Sequence, residues 1–261
     1  MKPFATLTAA ELATLAHLTS THPVFRVYVS DARAATASGA TNRSARLGSD
    51  GMGAALGIAF DGLEVRTLIG RLSPAEEVAS ADLPGPGELH VDDAVANRIA
   101  RGGNAIGEQI RRRVTATRAL KYYALAQRPP GAPDARCVPL GSAHLPMVTA
   151  FFATHYPDTI FSPWMLDRPF LGIVEQGQLV ACGGVVAAAE GISNVGNFLT
   201  APDARGRGLC RAVATTLAHL RFDQGTSQIT LGTTEDNPAA CRAYETTGFR
   251  CFDRRIQLDL S

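Results

Sequence analysis

The sequence predicts an α+β fold, in which helices flank a mixed, mostly antiparallel sheet and the chain forms two tandem α/β domains. The order helix, strands, helix, strand occurs twice along the 261 residues, which is typical of layered α+β domains. Residues 127–134 lie between the two occurrences and contain three prolines and a glycine, as linkers often do. We therefore predict domains at residues 1–128 and 136–261, joined by a linker at residues 129–135.

Composition places the chain among soluble globular proteins. Hydrophobic residues make up 46% and charged residues 19%, and the net charge of +1 favours neither a nucleic-acid nor a membrane-surface partner. The longest apolar run, residues 179–189, is too short to span a bilayer. The cysteines are odd in number and form no CxxC pair, which argues against disulfides and against a metal site. We expect a cytoplasmic protein.

The first predicted domain opens with a helix, because Thr8 and Glu11 have capping-box spacing. Asp61-Gly62 between two apolar runs predicts a tight hairpin. Segments 37–53 and 82–88 are rich in turn-forming residues and are predicted to be loops, the first of them exposed. The other predictions are strands at residues 25–29, 54–60, 63–69 and 122–126, and a helix at 94–114 that Gly102-Gly103 could interrupt.

The second predicted domain repeats this order with clearer boundaries. Apolar residues recur at helical spacing after Gly208, while Gln176-Gly177 separates two apolar runs of strand length. Helices are predicted at residues 143–155, 208–222 and 238–247, and strands at residues 170–175, 178–187, 192–200, 228–232 and 251–258.

A glycine-rich turn leads from one of these strands into a helix. Its sequence is Arg205-Gly206-Arg207-Gly208-Leu209-Cys210. Glycines at such a turn let several backbone N–H groups point to one place, and the helix adds the positive end of its dipole. This arrangement binds anions such as pyrophosphate. Taken alone, the pattern is equally typical of a surface turn with two arginines.

A second segment follows about thirty residues downstream. Asn237 suits a helix N-cap, Pro238 the first helical position and Gly248 the C-terminal end. Asn237, Ala240 and Tyr244 also fall on one helix face, because they are three and four residues apart. A small side chain at Ala240 would leave room for a ligand, and the Tyr244 hydroxyl would lie beside it.

Together, these segments resemble the two signature segments of the GNAT superfamily of acyltransferases. The matching residues are Thr200-Ala201-Pro202, Arg205-Gly206-Arg207-Gly208, and Asn237, Ala240, Tyr244 and Gly248-Phe249. The resemblance covers about residues 136–260. One position departs from the pattern, since Cys210 stands where the family usually has glycine or alanine, and we expect a slightly tighter turn there.

The resemblance implies that acetyl-CoA is the cosubstrate, held between the predicted strands 192–200 and 228–232. It implies that backbone groups of Phe198, Leu199 and Thr200 bind the pantetheine arm. The turn would hold the pyrophosphate, through Arg205, Gly206, Arg207, Gly208, Leu209 and Cys210. Asn237, Ala240 and Tyr244 would lie along the pantetheine and acyl group.

The same resemblance implies direct attack of an amine on the thioester, with Tyr244 as general acid toward the departing thiolate. Tyr244 could instead be an aromatic residue packed between helix and sheet. Glu190 is the leading candidate for the general base, with Glu235 and Asp236 as alternatives. The alternative for each of these carboxylates, an ordinary exposed loop residue, is the commoner case for such side chains.

The first half carries neither segment, so a GNAT-like domain there would be degenerate. Its expected work is to wall off the acceptor pocket or to pair with another subunit in a homodimer. The predicted function is transfer of an acetyl group from acetyl-CoA to the amine of a small-molecule or amino-acid-like acceptor. Two alternatives stay open, a tandem GNAT with a different acyl donor and a non-catalytic acyl-CoA-binding regulatory protein.

Overall fold

The computed structural model describes residues 1–37, 42–60, 63–82, 85–101, 105–157 and 159–261. The chain divides into two compact units. Unit 1 contains Met1–Lys121, Thr234–Asp236 and Asp253–Ser261. Unit 2 contains Tyr122–Thr233 and Asn237–Phe252. The linker predicted at residues 129–135 stays a prediction.

Unit 1 is built on an antiparallel meander followed by a parallel crossover. Strands β2, β3 and β4 pair antiparallel, and β4 then pairs parallel with β5 after a helical connection. The elements that begin in this half of the chain are β1 (Lys2–Pro3), α1 (Ala9–Thr19), α2 (Pro23–Ala37), β2 (Arg43–Leu47), β3 (Gly53–Phe60), β4 (Leu63–Gly70), α3 (Pro74–Ala81), β5 (Gly87–Val91), α4 (Asp93–Arg101), α5 (Ala105–Arg113) and β6 (Val114–Leu125).

Unit 2 repeats this topology with different helices. Strands β8, β9 and β10 form an antiparallel meander, and β11 pairs parallel with β10 after a helix. The elements are β7 (Cys137–Pro139), α6 (Leu145–His155), β8 (Phe170–Glu175), β9 (Gln178–Ala189), β10 (Ile192–Thr200), α7 (Leu209–Asp223), β11 (Gln228–Thr234), α8 (Pro238–Thr247) and β12 (Arg250–Leu260). The predicted elements of this half are all present, several with identical bounds.

The C-terminal end of the chain completes unit 1. Strand β12 pairs antiparallel with β5, with Leu258 opposite Leu89. Leu258 and Leu260 are each 4% exposed and belong to the same apolar core as Leu89. The sequence places this strand in the second predicted domain, because a strand's partner over such a chain separation leaves no local signal.

We expect Leu258→Ala to destabilise the protein by about 2–5 kcal/mol, because truncating a buried leucine loses apolar contacts and leaves a cavity. Chemical denaturation followed by circular dichroism measures the change. Arg254→Ala is the control, since that side chain is 71% exposed in the same strand and surface substitutions usually change stability by less than about 0.5 kcal/mol. Equal stability of the two variants would contradict the place of Leu258 in the unit 1 core.

The strand predicted at residues 25–29 is wrong, because this segment lies inside helix α2. Phe25, Val27 and Val29 are all buried, at 3%, 0% and 1% exposure. A helix buried on several sides can show apolar residues at every second position, which mimics the period of a strand.

The exposed loop predicted at residues 37–53 is also wrong in part, because it contains strand β2. Arg43 and Ala45 of this strand are buried, and the Arg43 guanidinium pairs with the Asp31 carboxylate at 2.6 Å. A buried arginine conceals the apolar alternation of the strand.

The hairpin residues Asp61-Gly62 and the break at Gly102-Gly103 lie outside the described residues, although the hairpin strands β3 and β4 pair as predicted.

Candidate functional site

The candidate site lies in unit 2, where the parallel strands β10 and β11 separate. Their pairing runs from Ile192↔Gln228 to Asn194↔Thr230 and goes no further, although both strands continue. Beyond that point, residues 196–200 of β10 are only half-buried, whereas residues 192–195 are buried. Backbone groups on the facing edges of the two strands are thereby available to a ligand.

A β-bulge adjusts β10 within this separated part. Between Gly196↔Gly184 and Leu199↔Cys182, β10 has one residue more than β9. Asn197 takes up the extra residue with a φ of 55°, a left-handed conformation that asparagine tolerates better than most residues. A bulge bends its strand and redirects the side chains around it. The Phe198 ring consequently packs against Gly183 and lies 5.7 Å from the Tyr244 ring.

The predicted phosphate turn joins β10 to α7. Gly206 and Gly208 have φ values of 77° and 74°, which only glycine adopts without strain. Gly208 is the N-cap of α7 and offers no side-chain hydrogen bond to the first helical N–H groups. Apart from the adjoining residues, no described atom lies within 4 Å of where a Cβ would stand on either glycine. This helix start therefore has the conformation and the access that an anion needs.

The arginines of the turn differ in their contacts. Arg207 donates from Nη1 and Nη2 to the Glu175 carboxylate, at 2.9 and 2.6 Å. Arg205 donates from Nε to the Thr200 carbonyl at 3.4 Å. Both side chains are exposed, but Arg207 already has an anionic partner, which the sequence did not indicate.

Thr200 carries a polar atom that suits a ligand. Its Oγ1 is buried and has no hydrogen-bond partner among the described residues. An unsatisfied buried hydroxyl is costly and rare in proteins. Because Thr200 is the last residue of β10, this hydroxyl lies at the end of the strand next to the turn.

Helix α8 begins as the sequence predicts. The Asn237 Oδ1 accepts a hydrogen bond from the Ala240 N–H at 3.1 Å, Pro238 follows as the first helical residue, and Gly248 ends the helix with a φ of 106°. Asn237 is exposed and Ala240 half-buried. Contacts of these two residues with a cofactor stay a prediction.

Tyr244 lies in an aromatic cluster that includes Phe198 of β10. Its ring is 6.2 Å from Tyr123, 5.7 Å from Phe198 and 6.1 Å from Phe249. Burial, with smaller contributions from Cys210 and Cys241, raises the pKa of Tyr244 well above its ordinary value. Burial likewise raises the pKa of the Cys210 thiol to about 11. These groups therefore carry their protons at neutral pH.

Tyr123 packs beside Tyr244, although no feature of the sequence marks it as part of the site. Its hydroxyl donates to the Glu245 Oε1 at 2.9 Å, and the residue is fully buried. Within an apolar strand segment, one aromatic residue carries no local sign that it will meet a helix more than a hundred residues away.

The three candidate bases occupy different places in the fold. Glu190 occupies the turn before β10 with a φ of 51°, eight residues before Phe198, which corresponds to about 26 Å along a strand. Glu235 pairs with Lys121 at 3.2 Å, and Asp236 with Arg118 at 3.7 Å, all within unit 1. The role of any of these carboxylates as the general base stays a prediction.

Helix α3 of unit 1 follows β4 as α7 follows β10, but its start is closed by its own residues. Ser73 is the N-cap and forms a capping box with Glu76. The Glu76 carboxylate also accepts the Ser49 N–H at 2.7 Å. These hydrogen bonds, that of Ser73 first, lower the pKa of Glu76 to about 2. The Ser73 hydroxyl and the Glu76 carboxylate therefore already accept from N–H groups at this helix start, whereas Gly208 of α7 has no side chain to do so.

Neither a membrane span nor a metal centre is found in the part of the chain that the structure describes. In those ranges, no helix is both long and apolar enough to cross a membrane. No group of three or more histidine, cysteine, aspartate or glutamate side chains there is arranged to hold a metal ion.

Comparison with models of known protein families gives a match in the second half of the chain. The model of the acetyltransferase (GNAT) family matches residues 142–249, which include the turn, Asn237 and Tyr244. No curated protein matches the sequence significantly.

Solved structures share the fold over nearly the whole chain. A GCN5-related N-acetyltransferase-like protein from Streptococcus suis has a TM-score of 0.66 at 14% identity, with 97% of this chain and 99% of that chain covered. A tandem GNAT protein from the clavulanic acid biosynthesis pathway has a TM-score of 0.60 at 15% identity, with 99% and 97% covered. At such identities the likeness shows the fold alone. Residues 142–249 thus form a domain of the GNAT acetyltransferase family, within a chain that has the fold of a tandem GNAT protein.

Proposed function

We propose that the protein transfers an acetyl group from acetyl-CoA to the amine of a small-molecule or amino-acid-like acceptor. One observation carries the proposal, the occurrence together in unit 2 of a glycine turn without a side-chain cap, a separated strand pair and a buried tyrosine that contacts Phe198 of that pair. The family match favours acyl transfer, and the donor, acceptor and residue roles that follow are our assignment.

The residues present fit acetyl-CoA. The N–H groups of residues 207–210 would hold the pyrophosphate at the start of α7. The Thr200 Oγ1 would gain the partner it lacks, and the backbone of Phe198 and Leu199 would bind the pantetheine arm as a strand edge binds a peptide. Bound there, acetyl-CoA supplies an acyl group activated as a thioester. Holding both reactants together contributes much of the rate.

Tyr244 would act as the general acid. The amine nitrogen attacks the thioester carbonyl carbon, the C–S bond breaks, and the sulfur takes the proton of the Tyr244 hydroxyl. The hydroxyl is protonated throughout the neutral range, because the ordinary pKa of tyrosine is about 10 and burial raises the pKa of Tyr244 further. We assign the amine's own proton to solvent, since Glu190 lies at the far end of β10, and the Tyr244 phenolate regains a proton from solvent before the next turnover.

Thiol release tests the function directly. The purified protein, acetyl-CoA and a panel of small amines and amino acids are expected to release coenzyme A and form an acetylated amine, detected with a thiol reagent and by mass spectrometry. Binding of acetyl-CoA without turnover on any acceptor would favour the regulatory alternative. Turnover only with longer acyl donors would favour the alternative of a tandem GNAT that uses a different acyl donor.

We expect each chain to bind a single acetyl-CoA, because the equivalent helix start in unit 1 is capped by its own Ser73 and Glu76 side chains. Isothermal titration of the full chain measures the stoichiometry, which should be close to one. Glu76→Gln should leave that stoichiometry unchanged, since the neutral amide still fills the same place. A stoichiometry near two would contradict the assignment of a degenerate first half.

A further inference from the structure

Four charged side chains form a cluster beside the phosphate turn, here called the arginine–carboxylate cluster: Asp134, Arg136, Glu175 and Arg207. Glu175 and Arg207 pair through two hydrogen bonds of 2.6 and 2.9 Å. Arg136 pairs with Asp134 in the same manner, at 3.0 and 2.7 Å. All four residues belong to unit 2.

The topology explains why these residues meet. Arg207 lies between the two glycines of the turn, next to the N-cap of α7. Glu175 is the last residue of β8. The register of β7 with β8 sets Cys137 opposite Ile173, so Arg136, one residue before β7, comes close to the end of β8. The hydrogen bonds from Arg207 lower the pKa of Glu175 most, and the charges of Arg207 and Arg136 lower it further.

Both ion pairs are open to exchange. The side chains of Arg207 and Glu175 are 46% and 33% exposed, and those of Arg136 and Asp134 are 51% and 26% exposed. Exposed pairs contribute little net stability. A guanidinium forms the same bidentate hydrogen bonds with a phosphate as with a carboxylate, and a phosphate dianion carries more negative charge than a carboxylate.

Coenzyme A carries two separate phosphate groups, a pyrophosphate and a 3′-phosphate. The backbone amides at the start of α7 suit the pyrophosphate, whereas the 3′-phosphate on the ribose is a separate dianion. The two guanidinium groups of the arginine–carboxylate cluster, those of Arg207 and Arg136, suit the binding of this 3′-phosphate.

We propose that Arg207 and Arg136 bind the 3′-phosphate of coenzyme A, and that Glu175 sets the donor affinity by competing with this phosphate for Arg207. The inference rests on the proposed function, because it concerns the same donor site. In the absence of coenzyme A, Glu175 holds the Arg207 side chain through their ion pair. When coenzyme A binds, the Glu175 carboxylate repels the 3′-phosphate. Removing its charge removes both the competitor and a repulsive neighbour.

Paired titrations with coenzyme A and 3′-dephospho-coenzyme A test this exchange. Arg207→Ala should weaken binding of coenzyme A by about tenfold, as expected for loss of a charge-assisted contact, and should weaken binding of the dephospho form much less, because the backbone N–H groups of the turn are retained. Glu175→Gln should strengthen coenzyme A binding by roughly threefold or more, again without effect on the dephospho form. Arg136→Ala should resemble Arg207→Ala with a smaller loss.

Asp223→Asn is the matched control, because Asp223 forms an exposed pair with Arg128 elsewhere in unit 2 and the substitution changes the net charge equally. It should alter neither affinity. Equal losses for the two ligands in Arg207→Ala, or no gain in Glu175→Gln, would overturn the inference while leaving the donor site intact. Failure of the wild-type protein to bind either ligand would overturn the proposed function as well.

Discussion

Gly206→Glu should abolish detectable binding of acetyl-CoA, with a loss of at least about 100-fold. The backbone of Gly206 has a φ of 77°, which costs a residue with a side chain roughly 1–2 kcal/mol. The new carboxylate would stand where the glycine now admits an anion, and it would repel the pyrophosphate at the start of α7. Isothermal titration with acetyl-CoA measures the loss, and circular dichroism reports whether the fold is retained.

Gly225→Glu separates this effect from backbone strain and added charge. Gly225 follows the C-terminal end of the same helix and has a φ of 87°. Like Gly206, it has open space where a Cβ would stand. Its variant should bind acetyl-CoA like the wild type. If Gly206→Glu also bound acetyl-CoA normally, the turn could not be the pyrophosphate site.

Tyr244→Phe should lower kcat by about 100-fold or more, within the range that a positioned general acid contributes. The ring keeps its contacts with Phe198 and Phe249, so acetyl-CoA should bind with nearly unchanged affinity. Only the proton donor is lost, and the thiolate must then leave unprotonated or take its proton from water. Coenzyme A release at saturating donor and acceptor gives kcat, and titration gives the affinity.

Tyr123→Phe is the control for the aromatic cluster. It removes a neighbouring hydroxyl, 2.9 Å from Glu245, and keeps the ring that packs 6.2 Å from Tyr244. Turnover should stay within about threefold of wild type, because uniform small losses are expected where no transition-state contact is removed. Similar losses in both variants would assign Tyr244 to packing and leave the acid unidentified.

The predicted elements succeeded where local rules decide the conformation. Asn237, Pro238 and Gly248 fix the ends of α8 through hydrogen bonds and dihedral angles within a few residues, and the glycines at 206 and 208 do the same for the turn. These rules act over one helical turn, so the sequence alone is sufficient for them.

Prediction failed where distant groups override the local pattern. Arg43 is buried in β2 because Asp31 of helix α2 neutralises it, and nothing in the residues near Arg43 announces that partner. The apolar residues of α2 alternate because the helix is buried on several sides, so the period of burial differs from that of an exposed helix.

By itself, the sequence determined the second half's elements, the glycine turn and the N-cap of α8, since each depends on residues within a single turn of chain. Only the tertiary structure decided that β12 completes unit 1, that Tyr244 is buried among three aromatic rings, and that Glu175 holds Arg207. Those outcomes join residues tens to hundreds of positions apart, and burial and pairing over such separations depend on which surfaces meet.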